Sequence, residues 1–558
     1  MRMPRRQRSG SLYLANLKSS LETSSQYRPV CVHRRDQHRP THSISHVALI
    51  SKAMGGGGYA IGTPRLLPPI PDRMARRIGH WVARQRLALS KAILHEVPGV
   101  RGAVAVALLT GDRGAVPEKV WSNLRDSGLA HLLAISGLHV GLMAGLLFTV
   151  ARAALALFYW LARRFPAKKW AAVISLIGAF GYLQVTGSTI PTQRAFLMIG
   201  MGLTAVILDR VPFSMTVVAW AALVILLITP ESLVTAGFQM SFAAVVALIS
   251  TYEAMGPRLG QLRSRGGWGR RVCLYCGGVL LTTLIAGTAT SPFAAFHFNR
   301  VATYGLAANL FAVPVMALWI MPWGLATYFL LPFGWQNLGL VPMAAGIGFV
   351  LDVAERVASW PGAVRLIPTM SNAVLILVTL GGLCLCIWTT RLHLLGVGAV
   401  AMGLLIGSVA DPPDILINER GNLHAVRMNA DEIVVSSDRP GFVRDSWLRR
   451  YGVSISRSWK ALLLDTNAPL RCDSLSCQIS LKGRRIAISK DPRAHEDDCN
   501  SADILLNTVP VRIDCTSPDV VIDRFGLWRE GTHASYLKMG GVRVDTVQQY
   551  RGGRPWSP

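Results

Sequence analysis

A succession of apolar segments, about ten in number, fills the chain between residues 129 and 409. A helix needs about 20 mostly apolar residues to cross a bilayer, and these segments reach about that length. With 51% hydrophobic and only 16% charged residues, the chain is too apolar for an ordinary soluble enzyme. The sequence therefore predicts a mainly α-helical, polytopic transmembrane bundle. The predicted spans are 129–162, 168–187, 191–209, 213–229, 232–254, 272–295, 303–331, 339–358, 371–390 and 392–409.

The seventh predicted span is longer than one crossing requires and contains Pro314 and Pro322. Proline removes a backbone donor and clashes with the preceding turn of a helix. We therefore expect either a kinked helix or two helical pieces around a break.

Residues 411–558 show a different pattern, in which short apolar runs alternate with turn residues. Such runs are typical of strands, so this region is predicted to be a β-rich, α+β soluble domain. The runs are DEIVVSS, KALLLD, RRIAIS, ADILLN and DVVIDR.

Four of the nine cysteines lie in this soluble region, namely Cys472, Cys477, Cys499 and Cys515. In an oxidising compartment they would form two disulfides, most simply between sequence neighbours. A zinc site is the alternative, although the usual CxxC spacing is missing.

The first predicted span contains HLLAISGLHVGLMAGLL, residues 131–147. Gly137, Gly141 and Gly145 recur at every fourth residue, so on one helix they would form a glycine strip. Such a strip predicts close contact with the backbone of a second helix.

The same stretch carries three polar side chains. Ser136 and His139 would be neighbours on a helix, and His131 would lie two turns before His139. In hydrocarbon, polar groups need a partner or water. These residues therefore either line a polar pathway or are capped structural groups.

Polar and aromatic side chains recur in the later spans and beside them. Arg194 follows the start of the third span, where it either snorkels to the interface or lines a path. The other pathway candidates are Gln239, Ser241, Thr290, His297, Asn299, Arg300 and Asn309, with neighbouring hydroxyls at Thr282, Thr283, Thr288 and Ser291. Hydrogen bonds between helices would explain the polar groups within the spans equally well. Phe293, Phe296, Phe298 and Tyr304 would be base-stacking faces or an interfacial aromatic belt.

Five blocks of the chain, in order, resemble the ComEC family of competence proteins. They are GAVAVALLTGDRGAVP (102–117), LRDSGLAHLLAISGLHVGL (124–142), PTQRAFLM (191–198), GFQMSFAAV (237–245) and TATSPFAAFHFNRVATYGLAANLFAVP (288–314). The resemblance implies an inner-membrane channel that passes single-stranded transforming DNA inward without catalysing a reaction. It also implies three partners besides the DNA, which are a periplasmic DNA receptor, a cytoplasmic helicase-like motor and the lipid bilayer. The chain has no Walker A motif, so energy for transport would come from another protein.

Relatives in this family often end in a metallo-β-lactamase-like domain. Here His424, His495 and His533 are far apart and no HxHxDH motif is present. We therefore predict a degenerate relative of that fold, with no metal, no cofactor and no nuclease activity. The closing run with Asp523, Trp528 and His533 is either a packing turn and strand or a separate site.

The expected domain order follows from these patterns. Residues 1–52 are predicted to be disordered and basic, 53–70 to be a remnant of an oligonucleotide-binding-type domain, and 71–125 to be an amphipathic helical lead-in. The membrane domain would cover 126–410, and the lactamase-like domain 411–558. A truncated or misassigned start and a genuine short variant both fit the N-terminal residues. Lys and Arg in the loops near 163–169 and 258–271 would be cytoplasmic, which places the C-terminal domain in the periplasm.

Three alternatives to the DNA channel are compatible with the sequence. The formal net charge of +27 suits a polyanionic partner, but topology signals and lipid binding also explain it. A membrane-embedded hydrolase could use Ser136 with His131 or His139. A transporter of another anionic polymer or lipid fits the same apolar and basic composition. If the N-terminus is truncated, a nonfunctional remnant is the third possibility.

Overall fold

The computed structural model describes residues 74–157, 166–263, 268–388, 390–409, 412–429, 432–437, 439, 441–453, 456–463, 469–538 and 540–552. The predictions for residues 1–73, and part of the basic loops used for orientation, lie outside the described residues. Up to residue 409 the described chain is mainly helical, and after that residue it is β-rich.

Fifteen α-helices are described before residue 410. They are α1 (Met74–Glu96), α2 (Val100–Thr110), α3 (Glu118–Asp126), α4 (Ala130–Leu133), α5 (Gly137–Leu157), α6 (Ala167–Val185), α7 (Ile190–Ile207), α8 (Met215–Ile228), α9 (Ala236–Arg263), α10 (Trp268–Phe298), α11 (Gly305–Val315), α12 (Met321–Leu330), α13 (Gln336–Ala358), α14 (Asn372–Ile387) and α15 (Leu394–Val409). Within the described residues, seven helical segments are long and apolar enough to cross a membrane. Each predicted span is helical over most of its described part, with non-helical residues at several ends and a break at 134–136 in the first. In lipid, an apolar run of this length can satisfy its backbone groups only internally.

The first predicted span is wrong as a single helix. The chain leaves the helical conformation after α4, where Ala134 is extended at ψ 123°, and α5 begins only at Gly137. The carbonyl of Ser136 accepts the first helical hydrogen bond, from Val140 N at 3.2 Å. Ser136 is thus the N-cap of α5, which is a preferred place for serine.

The seventh span is one continuous helical segment, Gly305–Phe333, and not two pieces around a break. The helix changes its hydrogen-bond pattern between the two prolines. A π-helical segment, Met316–Ile320, joins α11 to α12. Pro314 lies inside α11, and Pro322 is the second residue of α12, directly after the π-helical segment. Each proline lacks a backbone N–H and so removes a donor from the helix.

The lead-in predicted for residues 71–125 is partly a core element. In α2, every residue from Gly102 to Thr110 is buried. Tyr182 of α6 donates a hydrogen bond to Leu108 O at 3.1 Å, and Tyr328 of α12 donates to Leu109 O. Helix α2 has 11 residues, which are too few to cross a bilayer. It is buried on all sides, which explains why its apolar residues show no amphipathic pattern.

Two short strands lie between helices of the membrane region. Strand β1 (Arg300–Ala302) follows α10 directly, and β2 (Val364–Leu366) lies between α13 and α14. The strands are antiparallel, with Arg300 opposite Leu366. This pairing fixes the end of α10 against the connection that leads to α14.

The C-terminal region contains two sheets whose buried side chains form one shared cluster. The first sheet has the order β13-β12-β3-β4-β5-β6 and the second β11-β10-β9-β8-β7. The strands are β3 (Ile415–Ile417), β4 (His424–Arg427), β5 (Ile433–Val435), β6 (Arg457–Ser458), β7 (Leu470–Cys472), β8 (Ser476–Leu481), β9 (Arg484–Ser489), β10 (Ile504–Asn507), β11 (Val520–Ile522), β12 (His533–Lys538) and β13 (Gly541–Thr546). Five helices accompany them, α16 (Phe442–Tyr451), α17 (Trp459–Leu462), α18 (His495–Ser501), α19 (Arg524–Glu530) and α20 (Val547–Arg551).

The strand predicted in KALLLD is wrong, because Trp459–Leu462 is the short helix α17. Ser458 caps this helix by accepting from Lys460 N, and Trp459 and Leu462 both face the core three residues apart. Disulfides join Cys472 to Cys477 across β7 and β8, and Cys499 of α18 to Cys515.

His424 makes the stability of this domain depend on pH. Its ring stacks on Trp459 with centroids 5.6 Å apart, and Nε2 is buried without a hydrogen-bond partner. Burial, aided by the charge of Lys490, lowers the pKa of His424 to about 4. The neutral form is therefore required in the folded state, whereas the unfolded chain binds a proton near pH 6.5.

We expect the free energy of unfolding of this domain to be largest above pH 6.5 and to fall as the pH falls towards 4. The loss attributable to His424 is about 3 kcal/mol at the lower limit. His424→Phe, which keeps a ring against Trp459, should remove this component. Amide hydrogen exchange of β4 and β5 in the full-length protein, compared between wild type and variant across this pH range, measures the difference. Equal pH dependence in the two proteins would contradict the assignment.

Candidate functional site

The predicted Ser136–His139 pair forms at the start of α5. Ser136 Oγ donates to His139 Nδ1 at 3.2 Å, and Ser136 N donates to the same nitrogen at 3.4 Å. His139 is the third residue of α5, so its ring closes back on the N-cap as in a capping box. The His139 ring therefore satisfies one backbone donor, Ser136 N–H, that the helix leaves free at its start.

The same distance would suit a serine activated by a histidine. However, the imidazole of His139 is fully buried, and its Nε2 has no hydrogen-bond partner. A nucleophile and base of this kind need a third group that orients the base, and they need access for a substrate. His131 does not supply the third group, because it is exposed on α4 and its Nδ1 contacts Gly128 O at 3.1 Å.

The predicted glycine strip is not a packing surface. A Cβ placed on Gly137 or Gly145 would meet no atom within 4 Å, and one on Gly141 would meet only Ile199 Cδ1 at 3.4 Å. The buried face of α5 consists instead of His139, Val140, Met143 and Ala144. Ser175 of α6 donates to Ala144 O at 2.7 Å on that face. Side chains rather than glycines make the contact, so spacing alone did not identify the face.

Two candidates from separate spans are in direct contact. His297, in the last turn of α10, donates from Nε2 to Gln239 Oε1 at 2.7 Å. The amide nitrogen of Gln239 donates to Leu233 O at 3.0 Å, just before α9. This bond fixes the end of α10 against the start of α9.

Arg194 lies against the same end of α9. Its side chain is only 6% exposed, and its Nε is buried without a hydrogen-bond partner. A Cβ placed on Gly237 would lie 2.4 Å from Arg194 Nη2 and 3.0 Å from Nη1. The guanidinium therefore occupies the space that only a glycine at position 237 leaves open. A buried cation among apolar helices is costly in a membrane, and such groups mark functional sites by default.

The residues that follow α10 connect three parts of the protein. Arg300 forms an ion pair with Asp126 of α3, and Asp126 also accepts from Ser122 Oγ at 3.1 Å. Asn299, which has the left-handed φ of 56°, donates to Ile367 O at 3.2 Å and to Thr369 Oγ1 at 3.3 Å.

This connection reaches the C-terminal domain. The backbone N–H of Thr369 donates to Arg450 O of α16 at 2.9 Å. Gly452, at φ 77°, would place a Cβ 2.9 Å from Pro368. The C-terminal domain thus docks on the segment that Asn299 holds, at the end of α10.

The remaining polar candidates are satisfied within their own helices or are isolated. The hydroxyls of Thr288, Thr290 and Ser291 donate to carbonyls of the preceding turn. Thr282 also contacts Tyr252 OH of α9 at 2.7 Å. Ser241 and Asn309 are half-buried, and Asn309 Oδ1 has no partner.

Arg194 and the Gln239–His297 pair thus both lie at the start of α9, where Gly237 faces the guanidinium and Gln239, two residues later, bonds His297. Residues two apart on a helix point to different faces, so these are two separate contacts. Among the described hydrogen bonds, none joins Ser241, Thr290 or Asn309 to these three residues. The candidate site is therefore smaller than the polar pathway that the sequence predicts.

Sequence reasoning missed Asp126 and Gly237. Both lie in family-like blocks, RDSGL and GFQMSF, but their roles depend on contacts with Arg300 and Arg194 far away in the chain. A carboxylate at the end of one helix and a glycine at the start of another carry no such signal by themselves.

The C-terminal candidates have structural contacts. Asp523 Oδ1 caps α19 by accepting from Gly526 N at 2.7 Å, and His533 Nδ1 contacts Gly531 O at 2.8 Å. Trp528 is 60% exposed. In the part of the chain that the structure describes, no group of three or more His, Cys, Asp or Glu side chains is arranged to hold a metal ion.

Comparison with known proteins shows which proteins this chain resembles. A family model described as Competence protein matches residues 108–392, which is 285 of the 558 residues. The chain is 30% identical over 231 residues to ComE operon protein 3 of Bacillus subtilis, covering 41% of the chain and 26% of that protein. It is 28% identical over 261 residues to Recombination protein 2 of Haemophilus influenzae, covering 45% of the chain and 31% of that protein.

A third relative, Competence protein ComA of Neisseria gonorrhoeae, is 34% identical over 153 residues, which cover 26% of the chain and 20% of that protein. The matches therefore span less than a third of the length of each of these curated relatives. No solved structure gives a significant match.

Proposed function

The chain belongs to the competence protein family, and from this membership we propose that it passes single-stranded DNA inward across the inner membrane during natural transformation. The names of its relatives support a role in competence. In this proposal the protein is a channel and not an enzyme, and its C-terminal domain faces the periplasm. Its partners are the DNA, a periplasmic DNA receptor, a cytoplasmic helicase-like motor and the surrounding lipid.

One observation carries the proposal. Three apolar helices, α7, α9 and α10, bring Arg194, Gln239 and His297 to the first turn of α9. A DNA strand carries a charge on every nucleotide, so its path must offer cations and hydrogen-bond donors in place of water. The buried arginine supplies a cation with hydrogen-bond donors, and the Gln239–His297 pair adds polar groups at the same end of α9, in surroundings that are otherwise apolar.

The test is a deletion of the gene, scored for transformation with a chromosomal marker. We expect transformants to fall to the background of spontaneous mutants, while labelled DNA still reaches a nuclease-protected state outside the cytoplasm. Complementation with the wild-type gene should restore transformation. Unchanged transformation in the deletion strain would overturn the proposal.

A membrane-embedded hydrolase is the competing function, because Ser136 and His139 are within hydrogen-bond distance. Ser136→Ala in the complementing gene separates the two. Loss of a hydrolytic activity in purified protein, with transformation intact, would favour the hydrolase. For a channel we expect Ser136→Ala to lose the hydrogen bond to His139, worth about 1 kcal/mol of stability, and to change transformation little.

A further inference from the structure

The start of α9 and the guanidinium of Arg194 form a pair of positive groups in contact. Helix α9 is 28 residues long, and Gly237 is its second residue. The contact distances of 2.4 and 3.0 Å to a Cβ at position 237 place both Nη atoms of Arg194 at this first turn. The N-terminus of an α-helix carries roughly half a positive charge.

The first turn also has free donors. Gln239 N makes the first helical bond, to Thr235 O at 3.2 Å, and Phe238 N donates to Thr235 Oγ1 at 3.4 Å. Among the described hydrogen bonds, the N–H groups of Ala236 and Gly237 have no partner. These are the groups with which helix starts bind anions.

The positive charge is not balanced by the protein. In the described ranges, no ion pair involves Arg194. The residue is only 6% exposed, and its Nε nevertheless has no hydrogen-bond partner. A guanidinium beside a helix N-terminus is electrostatically unfavourable unless an anion lies between them.

We propose that Arg194 and the first turn of α9 form a binding site for one phosphate-type oxyanion. This inference rests on the proposed function, in which the oxyanion is a phosphodiester of the transported strand. A guanidinium fork and the unpaired backbone N–H groups of a neighbouring helix start suit a phosphate, whose several oxygens can accept from both kinds of donor.

Gly237 is the positioning residue of this site. Any side chain at position 237 would push the guanidinium away from the helix start, because its Cβ would overlap Nη2. The site therefore predicts that Gly237→Ala weakens phosphate binding even though the charge of Arg194 is kept.

The experiment measures binding of a fluorescent short oligothymidylate to the full chain in lipid nanodiscs over a range of salt concentrations. We expect Gly237→Ala and Arg194→Gln each to weaken binding about 10-fold, as for the loss of one charged hydrogen-bonded contact. Each should also make the negative slope of log affinity against log salt shallower by about 0.7, the value for one phosphate of a single strand. Arg194→Lys, which keeps the charge but not the fork, should keep the slope and lose part of the affinity.

Gly348→Ala is the matched control. Its Cβ would lie 2.9 Å from Arg101 Cζ, so it displaces a guanidinium in the same way, but that arginine is exposed at the start of α2. We expect wild-type affinity and slope for it. An oligonucleotide with an uncharged methylphosphonate backbone should bind equally to all variants, and inorganic phosphate should compete only weakly with the charged strand.

Three results would overturn the inference. They are wild-type affinity and slope in both Gly237→Ala and Arg194→Gln, no binding of oligothymidylate to the wild type, and inorganic phosphate that binds the site more tightly than the strand. Failure of the proposed function would show separately, as normal transformation in the deletion strain.

Discussion

Replacing Arg194 with glutamine is expected to lower transformation about 10- to 100-fold, because one charged contact to a phosphate contributes about 1.5 to 3 kcal/mol. The side chain is buried and has no carboxylate partner among the described residues, so its charge is available to a ligand. Arg194→Lys should give an intermediate value, since lysine keeps a charge but cannot present the planar fork. The measurement is the frequency of marker transformation in the deletion strain complemented with each variant.

The control for this prediction is Arg101→Gln, which removes the same charge at an exposed position. Membrane abundance, measured by immunoblot, must match the wild type in every strain. If Arg194→Gln transforms as well as Arg101→Gln at equal abundance, Arg194 is not on the route of the DNA. A role limited to packing would instead appear as reduced abundance.

The helical part of the fold is largely predictable from sequence, because apolar length alone requires a helix in lipid. The break before α5 is not. Residues 129–162 form a nearly continuous apolar run, in which Ser136 is compatible with a helix interior. Only the contacts of His139 with Ser136 show that the helix begins there. The buried helix α2 was also missed as a core element, because 11 residues do not suggest a span.

The polar residues of the candidate site were predictable from the sequence, but their positions relative to one another were not. Arg194, Gln239 and His297 are conspicuous as polar residues in apolar helices. Their placement at the same end of α9 depends on how α7, α9 and α10 pack, which the local pattern does not encode. The glycine strip shows the opposite error, since a regular spacing predicted contact at Gly145 where no atom approaches within 4 Å. The glycine that matters for the site, Gly237, has no such spacing.

We expect Gly111→Ala to lower the stability of the protein strongly, because Gly111 ends the buried helix α2. It ends that helix at φ 73°, in the left-handed region, and its Cβ would lie 2.4 Å from Thr186 O. Gly111→Ala therefore combines backbone strain of about 1 to 2 kcal/mol with overpacking against a backbone atom, which costs about 1 to 3 kcal/mol more. The clash cannot be relieved by a rotamer change, because the carbonyl belongs to the turn between α6 and α7.

Gly334→Ala separates the two causes. Gly334 also ends a helical segment in the left-handed region, at φ 72°, but a Cβ there would meet no atom within 4 Å. It should therefore show the strain alone, about 1 to 2 kcal/mol. Heating the full-length protein in detergent and measuring the monodisperse fraction by size exclusion gives the unfolding midpoint of each variant. A midpoint for Gly111→Ala well below that of Gly334→Ala is expected, since only at Gly111 must α2 move away from the end of α6. Equal midpoints would mean that α2 is not held tightly against that turn, and the burial of the helix would then need another explanation.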